Sequence, residues 1–330
     1  MADIMSTVLV TCPLTPEEQQ RLQASCDVRL VPGSPRPLAR EVFLKHVRGV
    51  HGLIVMPPDR VDAELLDAAG PQLKVVGTIS VGLEHIDLEE CRRRSILVGY
   101  TPGVLTTAVA ELTVALLLMT IRHLQDGLRS VHSGVWGQHG NDLLWLSGVE
   151  ISGSVVGIVG LGRIGLGVAT RLKAFQPARI VYCSSNTARP APTCPRLALQ
   201  LVSWEELLSQ SDIVIATCSM KGTQNYNLFN AATFARMRSS SIFINVTRGA
   251  LVDQEALLSA LTSGQIAAAG LDVTNPEPLP TDHPLLQLPN VTVLPHLGSA
   301  TRRARTTMSH VTVNNVLAGL QGQMLPSPAP

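Results

Sequence analysis

Val155-Val156-Gly157-Ile158-Val159-Gly160-Leu161-Gly162-Arg163-Ile164-Gly165 joins an apolar, β-branched run to a glycine-rich turn and then to a helical pattern, Ile164–Phe175. The spacing is G-x-G-x-x-G, and its position between strand and helix is what the motif requires. Gly160 suits a tight turn, Gly162 lets the main chain approach a pyrophosphate, and Gly165 lets helix and strand pack closely. The N–H groups of the helix's first turn then face the phosphates, helped by the helix dipole. A second apolar run, Arg179–Cys183, follows. The stretch predicts a βαβ dinucleotide site formed by Gly160, Gly162, Arg163, Ile164 and Gly165.

Apolar runs of strand length alternate with helical patterns on both sides of this turn. Upstream, strands are expected at Thr7–Thr11, His51–Met56, Lys74–Ile79 and Ile96–Val98, with helices at Pro16–Ser25, Pro37–Val47, Asp62–Ala69 and Leu88–Arg94. Downstream, strands are expected at Ile213–Thr217, Ser241–Asn245, Ala267–Asp272 and Val291–Leu294, with helices at Ser203–Ser209, Ala231–Met237 and Gln254–Ser263. Such alternation predicts parallel sheets, because parallel strands need crossover connections. Between the two series runs a long helical pattern, Thr106–Ser133, with an apolar stripe on Leu112, Ala115, Leu116, Met119 and Leu124. A loop then carries Trp136 and Leu143-Leu144-Trp145-Leu146. These apolar side chains suit a partner chain or a fold-back onto their own domain about equally. A last helix is expected over Thr301–Leu320.

The end of the second strand bears on the cofactor. NAD sites usually place Asp or Glu there to hold the ribose hydroxyls. Here the run is Cys183-Ser184-Ser185-Asn186-Thr187-Ala188-Arg189, without an acid. Hydroxyls, an amide and an Arg would accept a 2′-phosphate that a carboxylate would repel, so NADPH is expected, with NADH possible. Ser184, Ser185, Asn186 and Arg189 are the candidate contacts.

Three stretches past strand ends supply groups for chemistry: Asn245-Val246-Thr247-Arg248-Gly249, Leu271-Asp272-Val273-Thr274-Asn275-Pro276-Glu277-Pro278 and Leu294-Pro295-His296-Leu297-Gly298-Ser299. Open α/β sheets bind ligands at the carboxyl ends of their strands. Arg248 can hold a carboxylate with its planar, permanently charged fork. His296 can donate a proton to a carbonyl oxygen as hydride reaches the carbon. Glu277, ionised beside it, would orient the ring and favour its charged form. Each residue alone has an ordinary structural explanation; their order behind a dinucleotide turn makes the catalytic one stronger.

Composition narrows the classes. The chain has 330 residues, room for two domains, and its 45% hydrophobic content against 15% charged supports large cores. Basic and acidic residues nearly cancel at +1, and the clusters Arg92-Arg93-Arg94 and Arg302-Arg303 lie in helical patterns, so no nucleic-acid partner is expected. The six cysteines show neither zinc nor disulfide spacing, no metal site is expected, and no run reaches the ~20 apolar residues of a membrane span. With no secretory leader, these features predict a soluble, cytoplasmic protein.

From about Leu73 to Pro326 the chain resembles the D-isomer-specific 2-hydroxyacid dehydrogenases, and among them the glyoxylate/hydroxypyruvate reductases of animals. The resemblance rests on V-G-Y-T-P at 98–102, G-L-G-R-I-G at 160–165, G-L-D-V-T-N-P-E-P-L-P at 270–280 and L-P-H-L-G-S-A-T at 294–301. It implies two Rossmann-like, doubly wound parallel-sheet domains: 1–105 with 298–330 binding substrate, and 106–297 binding NAD(P), with substrate in a cleft between them. It implies that Arg248, Glu277 and His296 are catalytic, and that Val81 and Gly82 hold the substrate carboxylate through N–H groups. Ser299 then touches substrate, and Cys218, Ser219, Val246, Asp272 and Gly298 fall on the cofactor side. Trp145 matches a loop that extends toward a neighbouring subunit, so a homodimer is expected.

The implied activity is NADPH-preferring reduction of glyoxylate and hydroxypyruvate to glycolate and D-glycerate. Departures from the family pattern are Met56-Pro57-Pro58, Gly103 where Asp is usual, and Lys221-Gly222. The first of these leaves a reductase of another small 2-keto acid, such as a 2-ketogluconate-like sugar acid, as an alternative. Because the family includes peptide-binding corepressors, a dinucleotide-sensing scaffold is the alternative of another class. Phosphoglycerate dehydrogenase is disfavoured, since the chain stops near its last helix.

Overall fold

A computed structural model describes residues 5–31, 38–138, 142–184, 197–220 and 222–330. The chain divides into two units, Met1–Leu105 with Thr301–Pro330, and Thr106–Ala300. The sequence reading began the C-terminal return at residue 298. Residues 298–300 belong instead to the second unit, where the Gly298 N–H is held by the Asp272 carboxylate at 2.8 Å.

The first unit runs β1 (Thr7–Val10), α1 (Pro16–Ser25), β2 (Asp27–Leu30), α2 (Arg40–His46), β3 (Gly52–Val55), α3 (Ala63–Ala69), β4 (Val75–Thr78), α4 (Leu88–Arg93) and β5 (Leu97–Gly99). The strands form a parallel sheet in the order β2-β1-β3-β4-β5, with Leu9 opposite both Arg29 and Leu53. Successive side chains on a strand point to opposite faces. Leu9, Leu53 and Val76 therefore pack with Phe43, Leu65 and Leu66, while Val8, Ile54 and Val75 pack on the other face with Leu22, Val313 and Val316. Both faces are covered, so these strands read as continuous apolar runs. β2 escaped the sequence reading because it is a four-residue edge strand, D-V-R-L, whose residues stay mostly exposed.

In the second unit the order is α5 (Thr106–Ile121), α6 (Leu124–His132), β6 (Val155–Val159), α7 (Arg163–Leu172), β7 (Arg179–Cys183), β8 (Gln200–Leu201), α8 (Trp204–Gln210), β9 (Ile213–Ala216), α9 (Ala231–Phe234), β10 (Ile242–Asn245), α10 (Gln254–Thr262), β11 (Ala268–Leu271) and β12 (Val291–Val293). α11 (Arg302–Leu320) closes the first unit. Seven parallel strands are ordered β12-β11-β10-β9-β6-β7-β8. Strand order reverses between β6 and β9, which is where doubly wound sheets open a crevice at their carboxyl ends. Phe243 centres one core, its ring 4.6 Å from Phe229 and 5.6 Å from Phe234.

The single helical pattern over Thr106–Ser133 is two helices meeting at 66°. His123 interrupts it with φ +49, and the returning loop donates Val149 N–H to Ile121 O at 3.1 Å. The buried face of α5 also differs from the expected stripe: Ala115 is exposed, while Thr113 and Thr120 are buried with Leu116 and Leu117. Their hydroxyls bond to Val109 O and Leu116 O at 2.7 and 2.8 Å, so burial leaves no polar group stranded. Among the described residues no single helix is long and apolar enough to cross a membrane.

Candidate active site

The glycine turn is tight behind and open in front. Gly160 sits at φ +91, a conformation that favours glycine, and donates its N–H to Cys183 O at 2.9 Å. Thr217 Oγ1 donates to Gly160 O at 2.5 Å, and a Cβ on Gly160 would lie 2.7 Å from Cys218 Cα. A Cβ on Gly165 would meet Gly160 O at 2.3 Å, whereas one on Gly162 would meet nothing within 4 Å among the described residues. The first bond of α7 runs from Leu166 N–H to Gly162 O at 2.9 Å. The amides of Arg163, Ile164 and Gly165 precede it and are available to a phosphate. An opening that no described side chain fills, beside helix-start amides, fits a dinucleotide pyrophosphate.

Ser184 follows β7, while Ser185, Asn186 and Arg189 lie outside the described residues. Burial, with the Cys218 thiol alongside, pushes the Cys183 thiol up to about 12, so it stays neutral. Cys218 and Ser219 follow β9, and Asn225 Nδ2 donates to Ser219 O at 2.8 Å.

Arg248 is turned out of β10 by a buried amide. Asn245, fully buried, accepts Thr247 N–H and Thr247 Oγ1–H at 3.1 and 2.9 Å through Oδ1, and its Nδ2 donates to Arg248 O at 2.9 Å. Arg248 Nη1 donates to Thr247 O at 2.7 Å, and Val246 is buried beneath the turn. The sequence reading assigned Asn245 no role, although an Asn closing a strand before a turn is an Asx-turn signal.

Beyond β11, the buried Asp272 organises the histidine segment. Its carbonyl accepts His296 N–H at 2.9 Å, and its carboxylate accepts Leu297 N–H at 2.7 Å and Gly298 N–H at 2.8 Å. Burial raises its pKa, with the two amides and the His296 charge pulling the other way. Asp272 thus holds the main chain on either side of a histidine whose φ is +53.

His296 Nδ1 lies 2.8 Å from Glu277 Oε2, and Glu277 Oε1 accepts Thr274 N–H at 3.1 Å. The hydrogen bond to Glu277 raises the His296 pKa above its ordinary value; burial and Arg248 oppose, while the Glu277 and Asp272 charges reinforce. Burial pushes the Glu277 carboxyl up, but its bond to His296, the ring's charge, Thr274 N–H and Arg248 bring it below the usual range. The His296 side chain keeps 48% of its exposure, enough for its far nitrogen to meet a ligand. The second unit therefore gathers a carboxylate-paired imidazole and a guanidinium at one end of its sheet. Ser299 follows directly and is partly exposed.

Val81 and Gly82 follow β4 in the first unit. Ser80 Oγ donates to Gly82 O at 2.7 Å and lies 2.8 Å from Thr78 Oγ1, which is 3.0 Å from His85 Nε2. This hydroxyl–imidazole relay shapes the loop, and Thr78 and His85 were absent from the sequence reading. Trp145 lies in a turn opened by Asp142, with its N–H donating to Asp142 O at 3.2 Å.

Residues 114–298 match the D-isomer specific 2-hydroxyacid dehydrogenase NAD-binding domain. The chain is 46% identical over 321 residues to the mouse glyoxylate reductase/hydroxypyruvate reductase, covering 97% of this chain and 96% of that protein. It is 47% identical over 304 residues to the human one, covering 92% and 91%. Among solved structures, a Thermus thermophilus protein is 42% identical with a TM-score of 0.89, covering 98% of this chain and all of that one. An NADPH-dependent glyoxylate/hydroxypyruvate reductase from Sinorhizobium meliloti, in complex with NADP and malonate, is 31% identical with a TM-score of 0.83, covering 98% and 97%. The chain belongs to the D-isomer-specific 2-hydroxyacid dehydrogenases, enzymes built on a nicotinamide-dinucleotide fold.

Proposed function

We propose that this enzyme reduces glyoxylate and hydroxypyruvate to glycolate and D-glycerate, with NADPH preferred. The observation that carries the reading is the 2.8 Å pair of His296 Nδ1 and Glu277 Oε2, in a segment that also answers to Arg248. The dinucleotide, when bound, supplies the hydride, and the amides of Arg163, Ile164 and Gly165 would hold its pyrophosphate. Arg248 orients the keto acid by its carboxylate. His296, held protonated by Glu277, gives a proton to the keto oxygen as negative charge develops there. Cys218, Ser219, Val246 and Gly298 line the cofactor side, and Ser299 the substrate side.

NADPH preference is supported by the absence of an acid from Cys183 to Arg189. Residues 106–300 serve as the cofactor domain and the remainder as the substrate domain. A cytoplasmic setting is supported by cysteine spacing that suits reduced thiols. A homodimer is supported by the apolar residues that α6 and the following loop leave exposed.

The test is loss of nicotinamide absorbance with hydroxypyruvate and with glyoxylate, each with NADPH and with NADH. Rapid NADPH oxidation with hydroxypyruvate supports reaction and substrate class together. His296→Gln should lower turnover by about 100-fold or more while cofactor binding stays within about twofold. Cofactor binding without oxidation of either acid would overturn the reading and direct the search to bulkier keto acids or a sensing role.

A further inference from the structure

Gln254 opens α10 immediately after its N-cap, Asp253. Its side-chain amide pairs with the main chain of one residue 21 positions away: Nε2 donates to Asn275 O at 2.6 Å, and Asn275 N–H donates to Oε1 at 2.8 Å. An amide that meets both the N–H and the C=O of a single residue copies the exchange made by paired strands. Its base is firm. The Asp253 side chain accepts Ala256 N–H at 3.1 Å, its N–H donates to Phe229 O at 3.0 Å, and α10 buries Ala256, Leu257, Ala260 and Leu261.

Asn275 lies two residues before Glu277, in a loop poor in donors of its own. Pro276 and Pro278 have no N–H. Thr274 supplies the internal bonds, N–H to Glu277 Oε1 and Oγ1–H to Pro276 O at 2.8 Å. Gln254 ties this loop to a helix from outside.

We infer that Gln254 is a positioning residue for the proton donor: by clamping Asn275 to α10 it holds Glu277 at hydrogen-bond distance from His296. The inference rests on the proposed role of His296 and Glu277. The charged groups around the ring are the Glu277 and Asp272 carboxylates and the Arg248 guanidinium. Without the clamp the Glu277 carboxylate wanders, the ring loses its strongest support, and its proton leaves at lower pH. Cofactor binding at the glycine turn is untouched.

The experiment compares the full-length protein with Gln254→Ala and with Gln254→Met, which keeps the side-chain length but cannot pair with the main chain. The His296 ring is titrated by NMR without substrate, and kcat/KM for hydroxypyruvate is followed against pH. In both variants the ring's midpoint and the alkaline limb of activity should move down together by about half to one pH unit. At neutral pH kcat should fall about three- to tenfold, with dinucleotide affinity within about twofold. A midpoint unmoved in both variants, whatever their thermal stability, would overturn the inference. The NMR arm needs no turnover, so failure of the native enzyme on both keto acids would sink the proposed function while still deciding the role of Gln254.

Discussion

A Cβ built on Gly249 would stand 1.9 Å from the carbonyl oxygen of Thr274 and 2.0 Å from its carbonyl carbon. Two segments of the candidate site meet here with no room for a side chain. Gly249 follows Arg248, and Thr274 N–H holds the Glu277 carboxylate. Gly249→Ala must push one backbone away from the other, and misplacement by ~1 Å can cost about 100-fold in rate. The variant should lose about that factor in kcat/KM and about 1–3 kcal/mol of stability from overpacking. Dinucleotide affinity should stay near native. Native kinetics in the folded variant would mean that the two loops need no fixed register.

The His296–Glu277 pair sets the direction of the pH dependence. A raised His296 pKa keeps the ring protonated to a pH above its ordinary 6.5. Keto-acid reduction should therefore fall as pH rises through the folded His296 value, which lies above the ordinary one. In the oxidative direction the neutral ring is the active form, and activity should rise over the same interval. The stability that the pair contributes through His296 is complete below the unfolded value and disappears as pH rises through the folded one. Its Glu277 part is present above the unfolded carboxyl value and disappears as pH falls through the lowered folded one. Glu277→Gln should move the alkaline limb of reduction to lower pH and cut kcat about tenfold or more, measured from kcat/KM profiles. An unmoved limb would remove Glu277 from control of the ring.

What could be read in the sequence were features dictated by short-range chemistry. G-L-G-R-I-G declares a turn because a Cβ at Gly160 or Gly165 collides with main chain or a neighbouring strand's residues, and the two sheets follow from apolar runs covered on both faces. What escaped depends on partners distant in the chain. The burial of Thr113 and Thr120 follows from hydroxyls folded back onto carbonyls, which a hydropathy stripe counts as polar. The bend at His123 needs a loop from Val149 to reach Ile121 O. Asn245 reads as an ordinary strand end until its amide is seen on Thr247 and Arg248, and Gln254 as an ordinary helix start until Asn275 is beside it.

Cofactor choice should respond to one carboxylate at the end of β7. Ser184 stands there, in a run without an acid as far as Arg189. Ser184→Asp would set a negative charge where a 2′-phosphate is expected, while offering acceptors to ribose hydroxyls. The expected result is a fall in kcat/KM of about 10- to 100-fold with NADPH and little change, or a gain, with NADH. Steady-state kinetics with each cofactor at saturating hydroxypyruvate gives the ratio. Equal losses with both would place phosphate selection elsewhere in the segment.

The arm formed by α6 and the loop after it should bind a second copy of the chain. Leu128 and Val131 on α6 are 58% and 54% exposed, and Leu143 and Leu144 beyond it are 92% and 73% exposed. Large apolar side chains left this exposed on one helix and in the segment after it suit an interface. A self-complementary patch gives a twofold dimer. Sedimentation should find the native enzyme at twice its 35.2 kDa chain mass, and Leu128→Glu with Leu144→Glu at one chain mass. Each substitution lies on an exposed side chain, so thermal stability of the isolated chain should change little. A native enzyme that sediments as a monomer at micromolar concentration would assign the arm to a different partner.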